Sequence, residues 1–383
     1  MRSIWIMFVL MLITPCAWAQ NEPGRLALNV QNITLDLSLD GLVAAAYFSE
    51  PENLNFGGHD PRDRGFTLQN LELTLGGVVD PYARADAHII FLIEDGESIV
   101  ELEEAYLTTL ALPFRLQLMG GQFFTRFGRL NPTHPHTWDF ADQPVINNRL
   151  LGPDGLRNPG VQLSWLAPLP VYLELIGSVQ NASGETATSF LFEKGEVVGG
   201  FTLITRDVRH ASDLLYMGRV KSAWNPSETV EAVMGVSGLY GPNASGPATH
   251  TQIYGADLYA KWRPLDAHGG FPFVAVQAEA MTRRYETPMQ DLQDSGTYVQ
   301  ALWGFVRRWV AGARVDVAKG NDSADSLRDR RWRLSPNMTF YPSEFSKWRL
   351  QYNYDRAEHL DNPVHAMFLQ FEFLIGSHGA HQF

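Results

Sequence analysis

The stretch Ile33-Thr34-Leu35-Asp36-Leu37-Ser38-Leu39-Asp40 alternates apolar and polar side chains without a break. Successive side chains of a strand point to opposite faces, so such a segment has one greasy and one wet surface. The same rhythm returns at Leu71-Leu73-Leu75, Ala85-Ala87-Ile89-Phe91-Ile93, Tyr254-Ala256-Leu258-Ala260-Trp262, Val274-Val276-Ala278-Ala280 and Met367-Leu369-Phe371-Phe373-Ile375. The residues between them include Glu72, Asp86, His88, Asp257, Lys261, Gln277 and Glu279. Charge at this density is costly inside a dry sandwich, whereas a water-filled lumen tolerates it. The pattern therefore predicts an all-β chain closed into an antiparallel transmembrane barrel of about sixteen strands, spanning roughly Gln31 to Ile375.

Turn signals punctuate the strands. Gly76-Gly77 with Asp80-Pro81, Leu112-Pro113, Ala167-Pro168 with Leu169-Pro170, Asn225-Pro226, Arg263-Pro264 and Tyr341-Pro342 each mark a hairpin end. Ser183 to His210 reads either as a long outer loop or as a weak hairpin around Val197 to Leu203. Too few residues precede the first strand for a plug domain.

The first nineteen residues have the three parts of an export signal: Arg2, the apolar run Ile4 to Ile13, and the small-x-small site Ala17-Trp18-Ala19. Residues 1–19 are expected to be removed, leaving 20–383 as the barrel. The sole cysteine, Cys16, lies in the removed part, which excludes disulfides and thiolate metal sites. Past the signal, no apolar run is long enough for a spanning helix. Aromatic content of 12% suits the girdles of a barrel, and a net charge of -12 argues against nucleic acid as a partner. Of 30 basic residues only Lys194, Lys221, Lys261, Lys319 and Lys347 are lysine. The arginines are expected in the lumen or at the rim, because the lipid face penalises charge.

The longest non-alternating stretch runs from Thr125 to Asn158, and a structureless loop of that length is usually functional. Folded inward, it would set the field of a pore constriction through Arg126, Arg129, Asp139, Asp142, Arg149 and Asp154. His134 and His136 sit two apart around Pro135 and are the candidate metal ligands, with Asp139 or Asp142 completing a labile site. His378 and His381 form a second, weaker pair. At the C-terminus, Phe371, Phe373 and Phe383 are the expected assembly signal read by the barrel-assembly machinery.

Gly120-Gly121-Gln122-Phe123-Phe124, Phe127-Gly128-Arg129 and Pro159-Gly160-Val161-Gln162-Leu163 resemble the strand-loop-strand of phosphate-selective porins. Three further stretches, His134 to Phe140, Ile253 to Pro264 and Gly376 to Phe383, resemble a bacterial group of zinc-regulated outer-membrane proteins labelled TonB-dependent. The resemblance implies a Gram-negative outer-membrane barrel made when zinc is scarce. TonB-dependent uptake requires a plug and a larger barrel, so the sequence fits a porin-like channel better.

The expected activity is passive diffusion of small polar or charged solutes or ions, among outer-membrane lipids, with a homotrimer by analogy to sixteen-stranded porins. A zinc-linked receptor or uptake protein is the rival reading. No Gly-x-Ser-x-Gly elbow, phosphate loop or HExxH helix occurs, so no enzyme and no cofactor other than zinc is expected.

Overall fold

The computed structural model describes residues 26–30, 33–50, 54, 56–94, 96–320 and 325–376. The expected signal peptide, the His378–His381 pair and Phe383 lie outside the described residues.

A short strand, β1 (Leu26–Val30), pairs antiparallel with the start of β2 (Ile33–Phe48). The barrel continues through β3 (Gly65–Asp80), β4 (Ala83–Glu94), β5 (Glu97–Thr109), β6 (Leu116–Phe124), β7 (Arg157–Leu166) and β8 (Tyr172–Asn181). Two-residue strands, β9 (Val197–Val198) and β10 (Phe201–Thr202), make a small hairpin inside loop 182–213. The wall then resumes as β11 (Leu214–Ser227), β12 (Val230–Pro242), β13 (His250–Trp262), β14 (Phe273–Glu286) and β15 (Asp291–Val306). It finishes with β16 (Trp309–Lys319), β17 (Arg331–Ser343), β18 (Ser346–Ala357) and β19 (Val364–Gly376).

Each wall strand pairs with its neighbours, β8 joins β11, and β19 joins β2, so sixteen strands close one ring. The sequence-based count is met, and no plug domain is present among the described residues. Loop 182–213 turns out to be both of its alternatives at once, a long connection carrying a minimal hairpin. The Gly76-Gly77 pair is not a turn. It lies within β3, where Gly76 faces the Arg84 and Asp86 side chains closely enough that a Cβ would collide with them.

The two faces separate as alternation demands. Leu163, Val236, Leu258, Val299, Val315, Leu350, Met367 and Leu369 are exposed on the outside. Gln162, Ser237, Asp257, Gln300, Arg314, Asp316, Gln351 and Gln370 are buried on the inside. Phe371 and Phe373 also face outward; the Phe371 ring lies 4.4 Å from that of Trp348, and the Phe373 ring covers Gly41, where a Cβ would have no room. Small connections such as 228–229, 307–308 and 344–345 gather at one end of the barrel, while 49–64, 125–156 and 182–213 leave the other.

Val236 lies in the middle of β12 and is 55% exposed. Val236→Arg should cost about 2–4 kcal/mol of folding stability in a bilayer. Urea titration of the chain refolded into liposomes measures it, and an unchanged midpoint would mean that this face does not meet hydrocarbon.

Candidate functional site

Residues 125–156 leave the long-loop end and fold into the lumen. Within six residues the loop touches two far sides of the ring. The backbone N–H groups of Arg129 and Leu130 both donate to Glu279 Oε1 on β14 at 2.7 Å. His134 then reaches carboxylates on β3 and β5. Beyond a 3-10 turn at Pro135–Thr137, the chain runs along the inner faces of β16 to β18, and Ala141 packs with Ala366 and Phe368 of β19.

Here the loop backbone is held by wall side chains. Lys347 donates to the His136 carbonyl at 2.6 Å, Arg349 to that of Trp138 at 2.7 Å, and Asn337 to that of Asp139 at 2.9 Å. Arg314 donates to the Asp142 carbonyl at 2.8 Å and Arg333 to that of Gln143 at 2.6 Å. A buried loop lacks a ladder partner for its carbonyls, and wall cations supply the missing donors.

Asp142 anchors the arrangement. Its carboxylate meets Arg314 at 2.7 Å, Arg333 at 2.9 Å, Gln351 at 2.7 Å and Asn353 at 2.6 Å. Burial disfavours the charge, but Arg333 and Arg314 outweigh it and hold the Asp142 carboxyl down at about 2. After Pro144 all seven residues of the helix α1 (Val145–Leu151) are buried, and Val145, Ile146, Leu150 and Leu151 join one apolar cluster with Phe190, Leu191, Val198 and Leu203 of loop 182–213 and wall residues such as Ile253 and Tyr298. An apolar core thus fills part of the lumen near the long loops.

The six expected constriction residues divide. Arg129 and Asp139 line one cavity of about 510 Å³, together with His136, Tyr259, Lys261 and Lys347. Arg129 stacks over the Tyr259 ring at 3.9 Å and donates to Gln277 at 2.9 Å. Burial pushes the Asp139 carboxyl up despite Arg349 nearby. Arg126 lines a second cavity of about 480 Å³ with Arg84, Asp86, His88, Glu104 and His134. Asp142 and Arg149 are buried in structural roles instead. Arg149 donates to the carbonyls of Leu327, Arg328 and Asp329 at 3.0, 3.2 and 3.1 Å, and burial pulls its pKa down to about 10. Asp154 is half-buried at the far end of the loop, where its carbonyl accepts from Arg157.

Several of the lumenal arginines are neutralised by carboxylates on the wall. Arg219 pairs with Asp257 at 2.6 Å, Arg283 with Asp294 at 2.5 Å and Arg331 with Asp355 at 2.6 Å. Asp139 and Asp142 do not join the two loop histidines. Asp139 accepts from Gln300 at 2.8 Å instead.

His134 and His136 face a carboxylate group: the run Glu101, Glu103-Glu104 stands out in the sequence as acidic, but nothing there connects it with the loop histidines. Glu72 of β3, His88 of β4 and Glu103 and Glu104 of β5 surround them. Glu103 and Glu104 are adjacent, and a regular strand would send one of them to the lipid. The register between β4 and β5 shifts after the His88–Glu104 pair, leaving Glu103 as the extra residue of a bulge. Both glutamates are consequently buried on the inner side. A similar shift between β2 and β3 turns both Gln69 and Asn70 inward. The field at His134 is negative: burial opposes the imidazolium, but Glu72 and Glu103 outweigh it and push its pKa well up. Glu72 likewise raises His136 against the cost of burial.

No family model matches the chain. A protein of Aquifex aeolicus described as uncharacterized is 35% identical over 367 residues, covering 85% of this chain and 73% of the relative. Solved structures of outer-membrane proteins share the fold at low identity. The outer-membrane channel DcaP of Acinetobacter baumannii superposes with a TM-score of 0.60 at 14% identity, covering 90% of this chain and 97% of that one. The anion-selective porin of Comamonas acidovorans gives 0.58 at 8%, covering 90% and 100%. OmpT of Vibrio cholerae, in its trimer form, gives 0.55 at 7%, covering 89% and 99%. Neither the relative nor these structures bears the zinc-regulated or TonB-dependent designation suggested by the His134 to Phe140 and Ile253 to Pro264 stretches. The chain has the sixteen-stranded porin fold, and by sequence it belongs to the same family as the Aquifex aeolicus protein.

Proposed function

We propose that the chain is an outer-membrane channel through which small polar or charged solutes diffuse passively. The observation that carries this reading is the loop 125–156, which crosses a polar lumen and leaves charged cavities beside it. Around the larger cavity, Arg129, Lys261 and Lys347 outnumber Asp139, so the local field favours anions. Lys347 is partly neutralised by Glu372, 2.5 Å away. Arg129 and Lys261 are therefore the side chains that act on a passing ion. Export through a cleaved signal and insertion by the assembly machinery, with Phe371 and Phe373 on the outward face of the last strand, belong to the same reading. So does a homotrimer, the form recorded for the Vibrio cholerae OmpT.

Planar-bilayer recording tests the proposal directly. The purified chain should give ohmic steps, and neutralising Arg126 and Arg129 together to Gln should move the reversal potential toward cation selectivity. A bilayer that stays silent, or a reversal potential that does not move in the double variant, counts against it. Neutralising Arg314 or Arg333 is a different experiment, because both hold the loop.

Asp142→Ala removes the anchor and leaves Arg314 and Arg333 with Asp316 as their remaining carboxylate partner, which should weaken loop docking by about 1.5–3 kcal/mol. The expected result is a larger and noisier single-channel conductance. The wild-type carboxyl sits below its ordinary value, so its contribution is complete above about pH 4 and is lost only as pH falls through about 2. A conductance change centred near pH 5 in the wild type, persisting in Asp142→Ala, would assign acid gating to another group.

A further inference from the structure

Four buried carboxylates of this chain are neutralised by arginine, those of Asp142, Asp257, Asp294 and Asp355. For Glu72 on β3 and for Glu103 and Glu104 on β5, the contacting groups are imidazoles instead. His88 Nδ1 lies 2.8 Å from Glu72 Oε1, and His136 Nδ1 lies 3.2 Å from Glu72 Oε2. His134 meets carboxylates with both ring nitrogens: Nδ1 is 2.7 Å from Glu103 Oε2 and Nε2 is 3.0 Å from Glu104 Oε2. A neutral imidazole has one N–H, so hydrogen bonds to two carboxylates cannot both be made by it without an added proton on the ring or on a carboxyl.

The rings are also stacked on one another. His88 and His134 have centroids 4.4 Å apart, and His134 and His136 follow at 5.8 Å. A divalent ion held there would take these rings as neutral imidazoles and bring its own two charges to the carboxylates.

Two buried atoms add an independent sign. Glu103 Oε1 and His59 Nε2 have no hydrogen-bond partner among the described residues, yet they face each other across 3.8 Å. Asp40 stands opposite Glu72 in the β2–β3 register, and neither of its buried carboxylate oxygens is hydrogen-bonded among the described residues. Like charges opposite one another on one face destabilise a sheet unless a cation intervenes. The cluster also has an approach, since His88, Glu104 and His134 line the 480 Å³ cavity.

We propose that Glu72, His88 and His134 bind a divalent transition-metal ion at the junction of the loop and the wall. One ligand atom from each lies within 4.8 Å of the others. Glu103 and Glu104, on either side of His134, and His136, against Glu72, orient these ligands or add to them. Imidazole with carboxylate, and no thiolate, selects zinc-like ions over calcium or magnesium. Two ligands belong to the wall and one to the loop, so the ion would pin the lumen-crossing segment to β3 and β4. The inference stands on the cluster alone and does not need the channel reading.

The test is equilibrium dialysis of the full chain, folded in detergent, against Zn²⁺ and Ca²⁺, with elemental analysis of the retained metal. The expected result is one Zn²⁺ per chain that excess Ca²⁺ does not displace. Affinity should fall at least about tenfold in Glu72→Gln, His88→Gln and His134→Gln, and should be unchanged in the His378→Gln, His381→Gln tail variant. Heat-modifiable migration on gels shows that each variant is a folded barrel. Should the cluster variants fail to fold, Co²⁺ added to the unsubstituted chain gives a readout of its own: visible d–d absorption bleached by Zn²⁺. Retention of no zinc, absence of those bands, displacement by Ca²⁺, or binding that follows the tail pair instead would each overturn the site.

Discussion

Backbone N–H and C=O groups have no water to bond with in hydrocarbon, and this one constraint organises the molecule. The wall meets it by closing β19 onto β2, so that no strand has a free edge within the ring. Closure in turn forces every second side chain inward. With sixteen strands the interior is too wide for those side chains to fill, and something else must occupy or line it. The loop 125–156 does this, but brings a backbone with unpaired carbonyls into the interior. Lys347, Arg349, Asn337, Arg314 and Arg333 answer that second deficit. Four lumenal cations, Lys347, Arg349, Arg314 and Arg333, are thus engaged in holding the loop.

That division of labour changes what the charges can do. A guanidinium locked between Asp142 and a carbonyl is a structural donor with little charge left to offer a passing ion. Arg126, Arg129 and Lys261, which line cavities, retain theirs. The wall is also chemically polarised around its circumference. Arginine–aspartate pairs predominate on β11 and β13 to β18, whereas β3 to β5 carry the histidine–glutamate cluster beside a single such pair, Arg84–Asp86, among the described residues. The loop spans the two regions and joins them mechanically.

Much of the wall was legible because alternation is a local property. Leu35, Leu37 and Leu39 announce an outward face without knowledge of any partner strand, and the recurring turns give the strand number. The length of the Thr125 to Asn158 segment likewise marked it as functional. The contacts that fix its path were not legible. Arg314 and Asp142 are 172 residues apart, and nothing near either residue marks the other. Gly76-Gly77 misled because glycine serves turns and close side-chain approaches equally well, and only packing tells them apart.

The sequence by itself determined the dyad alternation, the even ring it builds and the presence of two histidines in a long loop. Only the tertiary structure decided which charges are consumed and which remain. It also decided that Glu103 and Glu104 face the same way. A strand's side-chain direction depends on its pairing register, and a bulge reverses that direction from one residue to the next at a place that no neighbouring residue encodes.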